Sequence, residues 1–158
     1  MSQFHPRDLA MSECSDRIMN ELQQYSTFHT LLLDDLRELL EERLDAENSR
    51  WVHAIVDQLC TNLQREFALE DQAGYLEEVL ERFPNWLQRV ERLRRNRLGL
   101  IGDLKQLQGK LNNPPDQMPI ANSLRDKFRS WADRLADHKR QENILLLDAV
   151  NLDVGEGE

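Results

Sequence analysis

Apolar residues recur along most of the chain at spacings of three and four, the period of an α-helix that turns one face toward a core. Between 15 and 46, Ile18, Leu22, Tyr25, His29, Leu32, Leu36, Leu40 and Leu44 form such a stripe, with Asp34, Asp35, Glu38, Glu41 and Glu42 on the outer face. Val52, Val56, Leu59, Leu63, Glu66, Phe67 and Glu70 mark a second helix over 50–71, capped by Asn48 or Ser49 and ended by Gly74. A short acidic helix over 75–82 leads to Pro84, which suits the first turn of a third long helix ending near 110. Its stripe is Trp86, Val90, Leu93, Arg97, Leu100, Ile101, Leu104 and Leu107. The segment 111–119 collects Asn112, Asn113, Pro114, Pro115 and Pro119 and reads as a loop. Beyond it, Leu124, Phe128, Trp131, Leu135, His138, Glu142, Leu145 and Ala149 share one face of a last helix over 120–150.

Four amphipathic helices on short connections bury their stripes best as an antiparallel four-helix bundle of up-down-up-down topology. Residues 15–152 then form one domain, between an N-terminal arm over 1–14 and a flexible tail over 153–158. Composition agrees: leucine occurs 27 times against 14 for Val, Ile and Thr together, which favours an all-α fold. The 158 residues match the length of a single domain.

Charge narrows the partners. Twenty Lys and Arg against 29 Asp and Glu give a net charge of −9, which argues against nucleic acid. The basic run Arg89, Arg92, Arg94, Arg95 and Arg97 reads as a solvated face. No apolar run approaches the roughly 18 residues of a membrane span, and no signal-peptide pattern opens the chain, so no membrane partner and a cytoplasmic location are expected. Cys14 and Cys60 lack the spacing of a zinc or redox motif. Trp51, Trp86 and Trp131 read as core or boundary aromatics, and His5 and His53 as surface or boundary histidines.

Six ionisable residues interrupt the stripes. His29, Glu66, Glu70, Arg97, His138 and Glu142 all fall within about 50° of the centre of their helix's apolar arc. Each lies in the middle of its helix, so antiparallel packing brings them to a common depth. Burying an unpaired charge costs several kcal/mol, so these residues are expected to form one cluster. Glu66 and Glu70, and likewise His138 and Glu142, are four apart and present two donor atoms on one face. Carboxylates and imidazoles held this way suit iron or manganese. Arg97 points to another solution, because its guanidinium cannot ligate a metal yet pairs with carboxylate oxygens.

At these residues the chain resembles the hemerythrin-like family of four-helix bundles, whose histidine and carboxylate cage typically holds two irons. Glu66-Phe67-Ala68-Leu69-Glu70, followed by the acidic turn Asp71-Gln72-Ala73-Gly74, is similar to the family's HF-x-x-E segment, with Glu66 in the histidine's place. His29 resembles the first-helix ligand, and His138 with Glu142 the fourth-helix pair. On the third helix the family's two histidines are replaced by Arg97 and Ile101. The resemblance implies an iron site, di-iron or mono-iron, held by His29, Glu66, Glu70, His138 and Glu142. Such a site would bind dioxygen or another small ligand, sense iron or handle peroxide, with Tyr25 and Asn143 as outer partners. The alternative is a metal-free relic in which Arg97 pairs with Glu66, Glu70 or Glu142 and the bundle serves as a structural or regulatory interaction domain, for a protein partner or as a homodimer. No nucleophile elbow, phosphate loop or Ser/His/Asp set accompanies the carboxylates, so hydrolytic catalysis is not expected.

Overall fold

The computed structural model describes residues 6–42, 45–112 and 122–156, and all of their regular structure is helical. Helix α1 (Pro6–Glu41) begins nine residues before the expected start at Ser15, so most of the expected arm is helical. Pro6 suits a first helical position, where its fixed φ and missing N–H are no handicap. Leu44, placed on the stripe of this helix by its spacing, lies outside the described residues. Helix α2 (Ala46–Ala73) is capped by Asp45 rather than by Asn48 or Ser49. Asp45 takes extended backbone angles, and its carboxylate accepts the Asn48 backbone N–H at 2.8 Å.

Gly74 ends α2 in the left-handed conformation, φ 70° and ψ 19°, and its N–H donates to the Glu70 carbonyl at 3.1 Å. The chain turns there into α3 (Tyr75–Arg82), which matches the expected span. Pro84 opens a 3₁₀ turn (Pro84–Trp86) that runs into α4 (Leu87–Asn112). Phe83 and Trp86 stack at this corner with ring centroids 4.3 Å apart. Most of the expected loop over 111–119 lies outside the described residues. Helix α5 (Asn122–Glu156) continues six residues past its expected end and takes in the start of the expected tail.

Each of the four long helices packs on two others: α1 on α2 and α5, and α4 on α2 and α5. Cross-helix contacts fix the directions. Arg37 meets Asp133 at 3.0 Å while Arg129 donates to the Leu40 carbonyl at 3.0 Å, so numbers rise on α1 as they fall on α5. Between α4 and α5, Arg89–Asp148 and Arg134–Asp103 do the same at 2.7 and 2.8 Å. The result is an all-α bundle with antiparallel neighbours, and no described helix is long and apolar enough to cross a membrane.

The core has two apolar parts. The larger joins α1, α2, α4 and α5 through residues such as Leu36, Leu59, Leu63, Leu104, Phe128 and Trp131. Trp131 is fully buried and donates its indole N–H to the Leu100 carbonyl at 2.9 Å. The smaller comprises Leu76, Val79 and Phe83 with Val90, Leu93, Leu145 and Ala149. Trp86 is half-buried beside it, whereas Trp51 is exposed and His53 half-buried.

Gly74 carries the turn that separates α2 from α3. A Cβ there meets nothing within 4 Å, so the penalty of a substitution is conformational alone. Gly74→Ala is expected to destabilise the fold by about 1–2 kcal/mol, the ordinary penalty of a left-handed L-residue. Urea unfolding followed by circular dichroism checks it, and an unchanged midpoint would mean that the turn is not held in this conformation.

Candidate functional site, a buried layer of charge

Along α4, Arg97 lies between Leu93 of the smaller apolar cluster and Leu100 of the larger one. Along α5, His138 and Glu142 lie between Leu135 and Leu145 in the same way. His29, Glu66, Arg97, His138 and Glu142 are buried, and the Glu70 side chain is only 10% exposed. The stripe positions thus deliver all six residues to one polar layer between two oily ones.

Arg97 organises one side of this layer. Its Nε donates to Glu142 Oε1 at 2.9 Å, its Nη1 to Asp71 Oδ1 at 3.0 Å, and its Nη2 to the Tyr75 hydroxyl at 2.8 Å. Glu70 Oε2 lies 2.7 Å from Nη2, but no N–H is directed at it. The guanidinium also lies over the Phe67 and Tyr75 rings, 5.4 and 5.9 Å from their centroids. Tyr75 in turn donates to Glu142 Oε2 at 3.3 Å. His138 Nε2 meets Glu142 Oε1 at 2.7 Å, and its ring stands edge-on to Phe67. On the other side, Glu66 pairs with His29 Nδ1 and accepts from Lys139 Nζ at 3.0 and 3.2 Å.

These contacts tune the carboxyls in opposite directions. Burial alone would raise Glu66, but the His29 hydrogen bond and the Lys139 charge outweigh it and hold the group below its ordinary range. Glu142 follows the same logic: desolvation is outweighed by the hydrogen bond from His138 and the charge of Arg97. Glu70 goes the other way. Burial and the neighbouring Glu142 charge push it up to about 8, against the opposing pull of Arg97. Arg97 itself is raised, since Glu142 and Glu70 outweigh its desolvation, and the Tyr75 phenol is raised by burial and by the same two carboxyls.

The five expected metal donors therefore sort into a His29–Glu66 pair, a His138–Glu142 pair, and a Glu70 turned toward Arg97. Among the described residues, no three His, Cys, Asp or Glu side chains gather in a way that can hold a metal ion. Comparison with protein-family models, curated proteins and solved structures returns no match to this chain. Two imidazole nitrogens in the layer, His29 Nε2 and His138 Nδ1, are buried without a protein partner.

Neither Tyr25, half-buried, nor Asn143, exposed, joins the layer. Tyr75, Lys139 and Asp71 supply the contacts instead. Asp71 belongs to the acidic turn noted in the sequence and Tyr75 follows its Gly74 directly, whereas Lys139 carried no signal. Cys60 is buried away from the layer, where desolvation and the nearby Asp57 push its thiol up to about 11, a value that leaves it inert at neutral pH.

The raised Glu70 carboxyl makes stability depend on pH. The folded chain holds this proton more tightly than the unfolded chain, whose glutamate titrates near 4.5. The contribution is complete below about 4.5 and is lost as pH climbs toward about 8. Glu66 and Glu142 act inversely, stabilising above the ordinary glutamate range and losing that contribution as pH falls through it. Between these limits the urea midpoint is expected to fall with rising pH, and Glu70→Gln is expected to flatten that fall. Equal slopes in the two proteins would show that Glu70 is not the group responsible.

Proposed function

We propose that this chain is a metal-free bundle of hemerythrin-like architecture, in which Arg97 takes the electrostatic role of a core cation and the domain serves as a structural or regulatory interaction module. The observation that carries the reading is the contact set of Arg97. Glu142, Asp71, Tyr75 and Glu70 surround all its donor nitrogens, so the carboxylates that would ligate iron are already neutralised within the chain.

The donor set is a poor fit for iron. A di-iron cage requires imidazoles and carboxylates that converge on the ions. Here Glu142 Oε1 is shared between Arg97 and His138, and Glu66 between His29 and Lys139. Support for an interaction role comes from the surface: Ile144, Leu147 and Val150 on α5 and Phe28 and Leu31 on α1 are exposed large apolar side chains.

An iron-binding reading, with dioxygen or a peroxide as its small ligand, draws on one observation, the two unpartnered imidazole nitrogens. Elemental analysis of untagged protein, before and after anaerobic ferrous loading, separates the two. Iron, manganese and zinc are expected to stay far below about one ion per chain, with no ferric charge-transfer band. A stoichiometric metal with such a band would overturn the proposal. Arg97→Ala is expected to lose about 3–5 kcal/mol in urea unfolding, because it leaves buried carboxylates without their cation. A stability equal to wild type would equally count against the metal-free layer.

A further inference from the structure

Between α2 and α4 a groove of about 730 Å³ opens on the side of the bundle, large enough for several side chains. Phe67 and Ala68 from α2 and Ile101 from α4 give it apolar walls, and Leu98 stands at its α4 lip. Leu98 is 74% exposed, more than any other large apolar side chain among the described residues. Its place on the helix explains this: it follows Arg97 directly, so the turn that buries the guanidinium points Leu98 away from the core.

The charged residues of the groove are divided by sign. Arg94 lines it from α4, where it spends one nitrogen on Glu91 at 3.2 Å and keeps further donors. Asp71 lines it from α2 and Glu77 from α3. The Asp71 side chain is 71% exposed and gives one oxygen to Arg97. The same division runs through the elements. Helix α4 carries seven Lys and Arg against two acidic residues, whereas α2 and α3 together carry eight Asp and Glu against three Arg.

One groove thus has a basic lip, an acidic lip, an apolar knob and an apolar recess. Such a surface complements itself under one kind of two-fold axis. An axis along the groove sets α4 of one chain over α2 and α3 of the other. Arg94 of each copy then faces Asp71 and Glu77, and each Leu98 enters the opposite recess. An axis across the groove would set α2 on α2 and α4 on α4, like charge against like. The recess beside Phe28 and Leu31 has no such match, because α1 alone lines it and no charged residue is among its walls.

We propose that this chain forms a symmetric homodimer through its α2–α4 groove, with Leu98 of each copy seated between Phe67, Ala68 and Ile101 of the other and Arg94 paired with Asp71 and Glu77 across the axis. The inference rests on the reading of the domain as an interaction module and names a second copy as the partner.

The test is sedimentation equilibrium of the full, untagged chain from micromolar to millimolar concentration, where the mass of two chains is expected. Leu98→Glu is expected to leave a monomer throughout, with the circular dichroism of wild type, since the position is exposed in a single chain. Arg94→Glu and Glu77→Arg each set like charges against one another on both sides of the axis. Each is expected to weaken the dimer about tenfold or more. Combined in one chain, the two reversals restore opposite charges across the axis, and most of the lost affinity is expected to return. Asp71 is left in place because it holds Arg97.

A monomeric mass over the whole range would overturn the proposal. So would a dimer indifferent to Leu98→Glu, which would put the contact on another face. Single reversals without effect, or a double variant that rescues nothing, would equally rule out this axis. Iron content is read on the same samples. A dimer that forms only after ferrous loading overturns this inference together with the metal-free reading, whereas an iron-free monomer overturns this inference alone.

Discussion

A guanidinium does not surrender its proton inside a protein, so the burial of Arg97 between Leu93 and Leu100 forces anions to be brought to it. Three different parts of the chain answer. Glu70 and Asp71 come from the last turns of α2, Tyr75 from the first turn of α3, and Glu142 from α5. The positions of the α2 end, the left-handed turn at Gly74 and the register of α5 are therefore tied to a single side chain. A slip of α5 by one turn would set Leu146 or His138 against Nε and leave Glu142 in an apolar cluster. Buried ion networks of this kind contribute little net stability over well-packed apolar residues, but they penalise the wrong register heavily. The oily layers on either side supply the burial that stabilises the bundle, and the polar layer selects which bundle forms.

Cations and carboxylates in that layer are matched contact by contact, the largely exposed Asp71 reaching Arg97 from the rim. Arg97 and Lys139 bring two positive charges, and Glu66 and Glu142, both held below their ordinary range, bring two negative ones. Glu70 avoids becoming a third negative charge by keeping its proton to about pH 8. Tyr75 stays a phenol, so it can accept from Arg97 and donate to Glu142 at once. Protonating one carboxyl is the less costly course when a second sits beside it and the shared cation is already crowded. The same reasoning explains why Lys139 reaches inward: Glu66 would otherwise face only a histidine.

Much of this was legible in the sequence, and the rest was not for identifiable reasons. The three-and-four spacing places each described stripe residue from Val52 to Leu63 and from Leu93 to Leu107 correctly, since a helix that long has only one way to hide its leucines. It also turns His29, Glu66, Arg97, His138 and Glu142 inward, because a stripe position stays a stripe position whatever its chemistry. Boundaries were harder. Asp45, Asn48 and Ser49 are all good caps, and only the extended backbone at Asp45 with its bond to the Asn48 N–H decides among them. Ser12 and Ser15 look like cap residues, yet serine is only mildly unfavourable within a helix, so α1 runs through them from Pro6. The partners of the layer were hidden for geometric reasons. Lys139 sits one residue off the stripe and arrives only through its long aliphatic stem. Asp71 is largely exposed and joins through its tip alone.

Glu142 joins α4 to α5 inside the bundle. One oxygen, Oε1, receives both Arg97 Nε from α4 and His138 Nε2 from the preceding turn of α5. Arg97 and His138 both favour the ionised form of that carboxylate, and the ring's other nitrogen, Nδ1, is buried without a protein partner. On α4, Arg97 faces the core while Arg95 and Gly99, two residues to either side, line the groove toward α5. The ionisable residues that interrupt the stripes thus tie α4 to α5 through one carboxylate oxygen, at the depth where the two apolar clusters meet.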